Sequence, residues 1–236
     1  MDINPHKEIP FEVLVSTMYR DDLSFLEKMF PGGDFSGFNI LIINQTDKNR
    51  ILHSPFANVR VVNAFIFGLS KSRNLALRHA KGEVCLIADD DVRFVPGFQH
   101  RITDAYNIYP QASVICFKTI TTQGAPYSNY AGGTRALRPG NIKKILSVEV
   151  SFKPRDIRDK NIIFNEWFGL GAEFEDSETF FFLSDVIKSR LNAFFYPAFI
   201  VMHEAFSSSD DTGADRVIRA RMAGFYRRYN KWAYFL

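Results

Sequence analysis

Short apolar runs recur along the first half of the chain, separated by segments with helical periodicity. Runs of this length with few polar positions are typical of strands covered on both faces. They lie at residues 12–16, 39–43, 59–63, 83–88 and 112–118. The helical segments begin near Asp21 or Asp22, just after Gly68 and near Pro96. Alternating strands and helices of this kind predict an α/β fold.

The centre of the chain has the order helix, tight turn, buried strand and carboxylates. Ser70 or Ser72 is predicted to cap the helix, and Gly82 has the position of a glycine that ends it. Arg73 and Asn74 lie near the N-terminus of this helix, and helix N-termini attract anions. Arg73 is therefore a candidate for a forked contact with a diphosphate or a base. The alternative is an ordinary surface arginine on a first turn.

Three consecutive carboxylates, Asp89, Asp90 and Asp91, follow the strand predicted over residues 83–88. Like charges at this spacing repel each other, and a divalent cation would relieve the repulsion. Ligands that offer only oxygen suit magnesium or manganese. In open α/β sheets, ligands bind outside the carboxyl ends of the strands. An acidic solvated turn is the alternative, but the position directly after a buried strand favours a metal site.

The motifs SKSRN, AKGE and DDD follow one another in this order, with an apolar strand before the carboxylates. This order resembles the middle of the family 2 inverting glycosyltransferases with the GT-A fold, of the bacterial surface-polysaccharide type. The resemblance covers most of the chain and implies a Rossmann-like nucleotide-diphospho-sugar transferase, with a mixed sheet flanked by helices. It implies transfer of a sugar, with inversion, from a UDP- or GDP-sugar to a hydroxyl of a carbohydrate or lipid-linked acceptor. It also implies Mn²⁺ or Mg²⁺ as the cofactor, held by Asp89 and Asp91.

The resembled family holds the nucleotide base in the loop after its first strand, often with a threonine and an arginine. Thr17 and Arg20 match these by position, although an ordinary turn capped by Asp21 is the alternative. After the second strand the family commonly has an acidic residue, whereas this chain has amides that could pair with a base or a ribose. The resemblance thus implies a nucleotide-sugar site made of Thr17, Arg20, Asn44, Gln45, Arg73, Asn74, Asp89 and Asp90.

A second acidic cluster follows a turn that contains two glycines. It comprises Glu173, Glu175, Asp176 and Glu178. The cluster resembles the acceptor half of the same family, in which one carboxylate of an acidic pair at a helix start is the catalytic base. Asp176 belongs to the pair that matches locally, whereas the spacing to Pro197 selects Glu178, so both stay open as the base. Charge compensation at a helix N-terminus accounts for one or two of these carboxylates but not for the cluster.

Two features near the C-terminus have alternative interpretations. His203 follows an apolar run, where the family can have a histidine that faces the metal, and a core histidine is equally compatible. Asp215 is predicted to cap a last helix with aromatic residues on one side and arginines on the other. We expect this helix to dock on the domain, and contact with a membrane surface is the second interpretation.

Composition limits the remaining possibilities. The chain has 236 residues and is 46% hydrophobic, so we expect one domain over 1–236. Its nucleotide-sugar half is expected at about 1–118 and its acceptor half at about 119–236. Two cysteines in predicted strands indicate core thiols in a reducing compartment. A net charge of +3 does not indicate a nucleic-acid partner.

The sequence also bears on location and on other classes of protein. No apolar run is long enough to span a bilayer, and the N-terminus does not resemble a secretory signal. We therefore expect a cytoplasmic protein, either free or peripheral on the inner face of the membrane. A non-catalytic nucleotide- or sugar-binding module is one alternative. A sugar nucleotidyltransferase is less favoured, because the segment VSTMYRDD after the first strand has no glycine and GGTRALRP lies mid-chain.

Overall fold

The computed structural model describes residues 8–204, 215, 218–220 and 222–224. The strands are β1 (Phe11–Met18), β2 (Asn39–Gln45), β3 (Val59–Ala64), β4 (Val84–Asp89), β5 (Arg93–Phe94), β6 (Val114–Thr121), β7 (Arg135–Ala136), β8 (Val150–Phe152) and β9 (Ala193–His203). The helices are α1 (Ser24–Met29), α2 (Leu69–His79), α3 (Phe98–Ile108), α4 (Pro154–Asp159) and α5 (Glu178–Lys188). Short 3₁₀ turns lie at Pro31–Gly33 and Ser147–Glu149.

All nine strands of this region form one sheet in the order β3-β2-β1-β4-β8-β6-β9-β5, with β7 paired to β9. Strands β1 to β4 run parallel to one another, whereas β8 is antiparallel to both β4 and β6. The expected mixed α/β sheet flanked by helices is confirmed. The sheet contains strands from both predicted halves of the chain, because β8 joins the first four strands to β6 and β9.

Two apolar clusters cover the two faces of the sheet. Alternate residues of β1 point to opposite faces, so Val13 belongs to one cluster and Leu14 to the other. Helices α1 and α3 complete the first cluster, and α2, α4 and α5 complete the second. Cys85 and Cys116 are both buried free thiols inside strands. Covering both faces explains why the strands of the first half are nearly continuous apolar runs.

The predicted ends of α2 are wrong in their details. Its N-cap is Gly68, and no side chain caps it. Ser70 and Ser72 are instead buried within the first turns, where the Ser72 hydroxyl donates to the Ser16 Oγ at 2.9 Å. Gly82 does not have a left-handed backbone. It is required for close approach, because a Cβ there would lie 2.9 Å from the Cβ of Glu12.

The sequence after α5 predicts a strand that ends near Pro197 and a second, apolar strand up to His203, but the structure has one long strand there. Strand β9 continues through Pro197 beside β6, and the pairing shifts register there: Cys116 pairs with Phe195, and Lys118 pairs with Phe199. Such an irregularity accommodates a proline, which has no N–H for the ladder. Residues 119–139 are rich in Gly, Ser and Thr, and this composition predicts a loop. The structure instead has the end of β6 and the short strand β7 within this segment.

The expected C-terminal helix is only partly described. Residues 218–220 and 222–224 are helical, Ala220 is buried, and a Cβ at Gly224 would lie 3.1 Å from the Phe181 ring of α5. Most of its predicted basic and aromatic face, from Arg221 and Phe225 onward, lies outside the described residues. None of the described helices has the length and apolar character required to cross a membrane.

Candidate active site

The predicted donor residues lie at one edge of the sheet, where β1, β2 and β4 end. Ser16 of β1 pairs with Asp89 of β4, and Thr17 pairs with Asn44 of β2. The register of three parallel strands therefore brings these side chains to the same edge, although they are far apart in the sequence. This is the edge at which ligands bind in open α/β sheets.

Asp90 joins the carboxylate triplet to the loop after β1. Arg20 donates to Asp90 Oδ2 from Nη2 at 2.7 Å and from Nε at 2.9 Å, and the Thr17 hydroxyl donates to the same oxygen. All three hydrogen bonds therefore end on the same carboxylate oxygen, Oδ2 of Asp90. Arg20 remains partly exposed beside this network. Thr17, Arg20 and Asp90 therefore form one hydrogen-bonded unit.

The two amides after β2 make hydrogen bonds within the protein. Asn44 is fully buried; it accepts from the Arg20 amide at 3.1 Å and donates to the Arg20 carbonyl at 2.9 Å. Gln45 Oε1 accepts from the Gly68 amide at 2.8 Å. Asn44 therefore fixes the loop that carries Arg20, and Gln45 fixes the start of α2. Their pairing with a base or a ribose stays a prediction.

Arg73 lies between two carboxylates from opposite halves of the chain. Its Nη1 donates to Glu178 Oε1 at 2.7 Å, and its Nη2 donates to Asp89 Oδ1 at 3.1 Å. The side chain is 3% exposed, and its Nε has no partner among the described residues. Burial lowers the pKa of Arg73, but Asp89 and Glu178 outweigh burial, so the pKa lies above its ordinary value. The two ion pairs that Arg73 makes are therefore with carboxylates of the protein itself, and not with a ligand as the sequence suggested.

Asn74, the neighbour of Arg73, fastens a distant segment to α2. Its Nδ2 donates to the Phe164 carbonyl and to Glu166 Oε1, both at 2.9 Å. Its Oδ1 accepts from the Phe164 amide at 2.8 Å. These three bonds occupy a buried side chain, so Asn74 holds the segment that leads to the two-glycine turn.

The expected metal ligands Asp89, Asp91 and His203 do not form a complete site by themselves. Among the described residues, no group of three or more His, Cys, Asp or Glu side chains could hold a metal ion. Desolvation raises the pKa of Asp91, the Asp89 charge raises it further, and the nearby His203 opposes both. Magnesium commonly takes one or two carboxylates and completes its shell with water and substrate phosphates. The oxygens of Asp89 and Asp91 fit that shared kind of site.

The acidic cluster separates into members with different surroundings. Glu178 is 13% exposed at the start of α5, where its Oε1 also accepts from the Thr179 hydroxyl at 3.1 Å. Asp176 is half-buried in the turn before the helix. Glu175 accepts from the Gly171 amide at 3.4 Å, and Glu173 pairs with Arg219 at 3.3 Å. Of the two candidate bases, Glu178 has the direct contact with Arg73.

Gly169 allows the two-glycine turn to pack closely against Glu178. Gly169 has a φ of 100°, and a Cβ there would lie 3.1 Å from Ser70 Oγ and 3.3 Å from Glu178 Cγ. The Ser70 hydroxyl donates to the Phe168 carbonyl at 2.6 Å. The turn is therefore packed between α2 and the Glu178 side chain, and only glycine suits both the backbone conformation and the space.

A buried carboxylate behind the site escaped the sequence analysis. Glu149 is fully buried and accepts from the hydroxyls of Tyr130 and Thr119 and from the Leu146 amide. Burial raises its pKa to about 7. Ser147, in the same 3₁₀ turn, donates to Asp89 Oδ2 at 3.4 Å. The sequence SVEVSFK over residues 147–153 alternates like a half-buried strand with Val148, Val150 and Phe152 as its apolar positions, so the pattern gives no signal that Glu149 is buried.

Exposed aromatic residues beside the site were also missed. Tyr19 has a φ of 53°, and its ring lies 5.4 Å from the ring of Phe67, which follows β3. Both side chains are about 40% exposed, and the neighbouring residues Ile66 and Phe65 are 42% and 55% exposed. The apolar triplet 65–67 directly after a strand was the signal that could have identified this surface.

Comparison with known proteins identifies the fold. No protein-family model and no curated protein matches the chain. Solved structures of S. aureus TarS do match at 18% identity. TarS 1–349 gives a TM-score of 0.58 over 92% of this chain and 66% of that chain. A longer TarS chain gives 0.59 over 92% and 40%. TarS 1–349 in complex with UDP-GlcNAc gives 0.58, with 67% of that chain covered. The chain has the GT-A fold.

This likeness confirms the fold that the sequence motifs implied. The chain spans 66% of TarS 1–349 and 40% of the longer TarS chain. At 18% identity the likeness is evidence for the fold and not for the reaction. Function must therefore be inferred from the residues at the edge of the sheet.

Proposed function

We propose that the protein is a metal-dependent inverting glycosyltransferase that moves a sugar from a UDP-sugar to an acceptor hydroxyl. The observation that carries this proposal is Arg73, which bridges Asp89 at the strand end to Glu178 in the acidic cluster. A metal-dependent transferase with a carboxylate base needs anionic groups on both sides of the transferred sugar. We assign Asp89 to the donor side and Glu178 to the acceptor side, and the contact of both with Arg73 supports this assignment. TarS, which shares the fold, has been crystallised with UDP and with UDP-GlcNAc, and this supports UDP over GDP.

On the donor side, the site must bind a diphosphate and stabilise its charge as it leaves. Asp89 and Asp91 would hold a Mn²⁺ or Mg²⁺ ion, with His203 beside them. When bound, this cation would neutralise the negative charge that develops on the leaving diphosphate. Arg20 is partly exposed next to Asp90 and would contact the nucleotide, as would Thr17. Arg73 is buried, so its role is to orient Asp89 and not to contact phosphate directly.

On the acceptor side, a base must take the proton of the attacking hydroxyl. The oxygen attacks the anomeric carbon from the face opposite the diphosphate; its bond forms as the carbon–oxygen bond to the diphosphate breaks, and configuration inverts. Glu178 or Asp176 would accept the proton. Asp89 and Glu178 both contact Arg73, so the donor and acceptor groups lie close enough to act on one sugar.

A second candidate function has one observation in its favour. Glu178 Oε1 already accepts from Arg73 and from Thr179, so this oxygen is engaged within the protein and is less available to an acceptor hydroxyl. This favours a non-catalytic module that binds a nucleotide or sugar without transferring it, unless Asp176 is the base. A nucleotidyltransferase has no such support, because the loop after β1 has no glycine.

Calorimetry with UDP and GDP, each in Mn²⁺ and in EDTA, would test donor binding. A transfer assay with a panel of UDP-sugars would then separate the enzyme from the binding module. We expect UDP to bind only with the cation and at least one UDP-sugar to be consumed. Absence of binding to either nucleotide would refute the transferase, whereas nucleotide binding without turnover would leave only the module.

The same proposal assigns a binding role to each half of the chain. Residues of about 1–118 would bind the nucleotide sugar, and about 119–236 would bind a carbohydrate or lipid-linked acceptor, in one domain. The expected cytoplasmic location, with or without contact to the inner face of the membrane, also stays a prediction.

A further inference from the structure

Trp167 is presented to solvent on a rigid turn. Its side chain is 68% exposed, the highest value among the large hydrophobic side chains of the described residues. The turn is not loose, because the Trp167 carbonyl accepts from the Phe174 amide at 2.9 Å and the Leu170 carbonyl accepts from the Leu69 amide at 2.9 Å. Exposing a tryptophan on a fixed backbone is unfavourable in water, and such surfaces commonly bind a partner or ligand.

Trp167 lines one of two cavities that meet at Glu166. The first has a volume of about 390 Å³ and lies between the start of α2 and the two-glycine turn, with Gly68 and Gly171 in its wall. The second has a volume of about 480 Å³ and extends to Lys160 and to Lys188 at the end of α5. Glu166 lines both, so the two cavities are neighbours, and we call the two together the Trp167 groove.

The charges along the Trp167 groove nearly cancel. Its walls contain three lysines and three acidic residues, and each cavity has both signs of charge: Lys71, Lys160, Lys188, Glu166, Glu173 and Asp185. Arg219 contacts Glu173 from outside the walls. A strongly anionic polymer would need a surplus of basic residues. A balanced set of donors and acceptors next to an exposed aromatic ring instead suits a neutral polyhydroxylated ligand, whose C–H faces pack on the ring and whose hydroxyls bond to the charged groups.

The Trp167 groove begins next to a candidate base. Gly169, two residues after Trp167, is packed between Ser70 and Glu178. Ser70 also lines the first cavity. A chain lying in the groove would therefore have one end at the turn that carries Glu178 and its other end toward Lys188.

We propose that the Trp167 groove binds a neutral oligosaccharide acceptor of at least two sugar units, one on Trp167 and the next beyond Glu166. This inference rests on the proposed function, since it names the acceptor of the same reaction. The unit on Trp167 sets the position of the reacting hydroxyl, and the further units add affinity in the second cavity.

Binding can be tested without any transfer. The full chain is titrated with cello-, chito- and malto-oligosaccharides of one to six units, using calorimetry. We expect affinity to rise with length, Trp167→Ala to weaken it at least tenfold, and Trp167→Phe to retain most of it. Ile108→Ala, which removes another exposed apolar residue at the end of α3, is the control. Melting temperature and UDP affinity should be unchanged in all three variants.

A second pair of variants tests the direction of the chain. Lys188→Ala, at the far cavity, should weaken only oligosaccharides of two or more units, whereas Trp167→Ala should weaken the shortest ligand as well. The proposal is overturned if no neutral oligosaccharide binds, if Trp167→Ala binds like the wild type, or if polyphosphate binds more tightly in a salt-dependent way. Oligosaccharide binding without UDP binding would refute the proposed function while leaving the groove assignment intact.

Discussion

Arg73 of α2 donates a hydrogen bond of 2.7 Å to Glu178 of α5, a residue 105 positions later in the chain. The same guanidinium contacts Asp89, so the charge of one buried arginine holds two carboxylates that would otherwise repel each other. This contact determines the distance between the edge of the sheet and the acidic cluster. The predictions below start from it.

Arg73→Gln should destabilise the protein. The substitution leaves Asp89 and Glu178 without their cation, and removing one partner of a buried ion pair costs about 3–5 kcal/mol. Because Asp89 is about one-third exposed, we expect about 3 kcal/mol in the free energy of unfolding, measured with urea. Arg155→Gln is the matched control, since it removes an exposed pair with Asp159 and should cost less than about 0.5 kcal/mol. Equal losses in the two variants would contradict the bridging role.

Gly169→Ala should disturb Glu178 specifically. The new methyl group would meet Ser70 Oγ at 3.1 Å and Glu178 Cγ at 3.3 Å, at a φ of 100° that alanine rarely adopts. We expect a loss of about 1–3 kcal/mol in stability, together with a larger fall in transfer rate than in UDP affinity. Gly133→Ala is the control, because nothing lies within 4 Å of that position and its φ is ordinary. Similar rates for Gly169→Ala and the wild type would show that the turn tolerates movement of Glu178.

The sequence predicted the elements at this site better than it predicted their contacts. The buried strands and the carboxylates at their ends follow from local pattern, because apolar runs and turn residues are properties of neighbouring positions. The partners of Arg73 depend on which helices pack beside α2, so its ion pairs with protein carboxylates were not foreseen. Ser70 and Ser72 have the residue type of helix caps, yet they are buried because other elements pack over the start of α2.

The roles of two further residues could not be predicted from their neighbours in the sequence, for the same reason. Gly82 looked like a helix terminator, but its role depends on Glu12, which reaches it through the pairing of β1 with β4. Glu149 lies in a segment that alternates like a half-buried strand, and its burial depends on Thr119 and Tyr130. Contacts between distant segments are set by packing and not by sequence spacing.

Asp91→Asn should weaken the part of UDP affinity that depends on a cation. Asp91 offers carboxylate oxygens next to Asp89, and a diphosphate would complete the coordination of a shared ion. We expect at least a tenfold loss of affinity in Mn²⁺ and no change in EDTA, measured by calorimetry. Arg93→Ala, just outside the carboxylate triplet, should change affinity in Mn²⁺ by less than twofold. An identical UDP affinity with and without Mn²⁺ in the wild type would rule out the metal.

Stability should depend on pH through Glu149. Burial raises its pKa to about 7, so the folded state binds a proton more tightly than the unfolded state does. Stability from this group is therefore greatest below about pH 4.5 and is lost as pH rises to about 7, by about 3 kcal/mol in total. Glu149→Gln lacks the titration, and the hydroxyls of Tyr130 and Thr119 can reverse their bonds to suit an amide.

The difference between the wild type and Glu149→Gln isolates this effect, because all other groups titrate in both. Urea unfolding from pH 5 to pH 8 should show the variant gaining stability relative to the wild type as pH rises. Glu27→Gln, on the exposed side of α1, should give a difference that is flat with pH. A flat difference for Glu149→Gln as well would mean that the carboxylate is ionised throughout this range.

The identity of the base can be decided with two variants and two measurements. An acceptor hydroxyl is a poor nucleophile at neutral pH, so a carboxylate must take its proton as the new bond forms. Removing that base typically costs about 10²–10⁴-fold in rate while leaving donor binding intact. Glu178→Gln also weakens the contact to Arg73, and through Arg73 it can disturb Asp89. A loss of transfer in this variant therefore identifies the base only if UDP affinity is unchanged.

Asp176→Asn provides the contrast, because Asp176 lies in the turn before α5 and neither of the Arg73 ion pairs involves it. If Asp176 is the base, its variant should lose transfer by at least about 100-fold with full UDP affinity, while Glu178→Gln loses affinity and rate together. If Glu178 is the base, Glu178→Gln should keep UDP affinity and lose transfer, and Asp176→Asn should transfer normally. Near wild-type transfer in both variants would show that neither Glu178 nor Asp176 is the base.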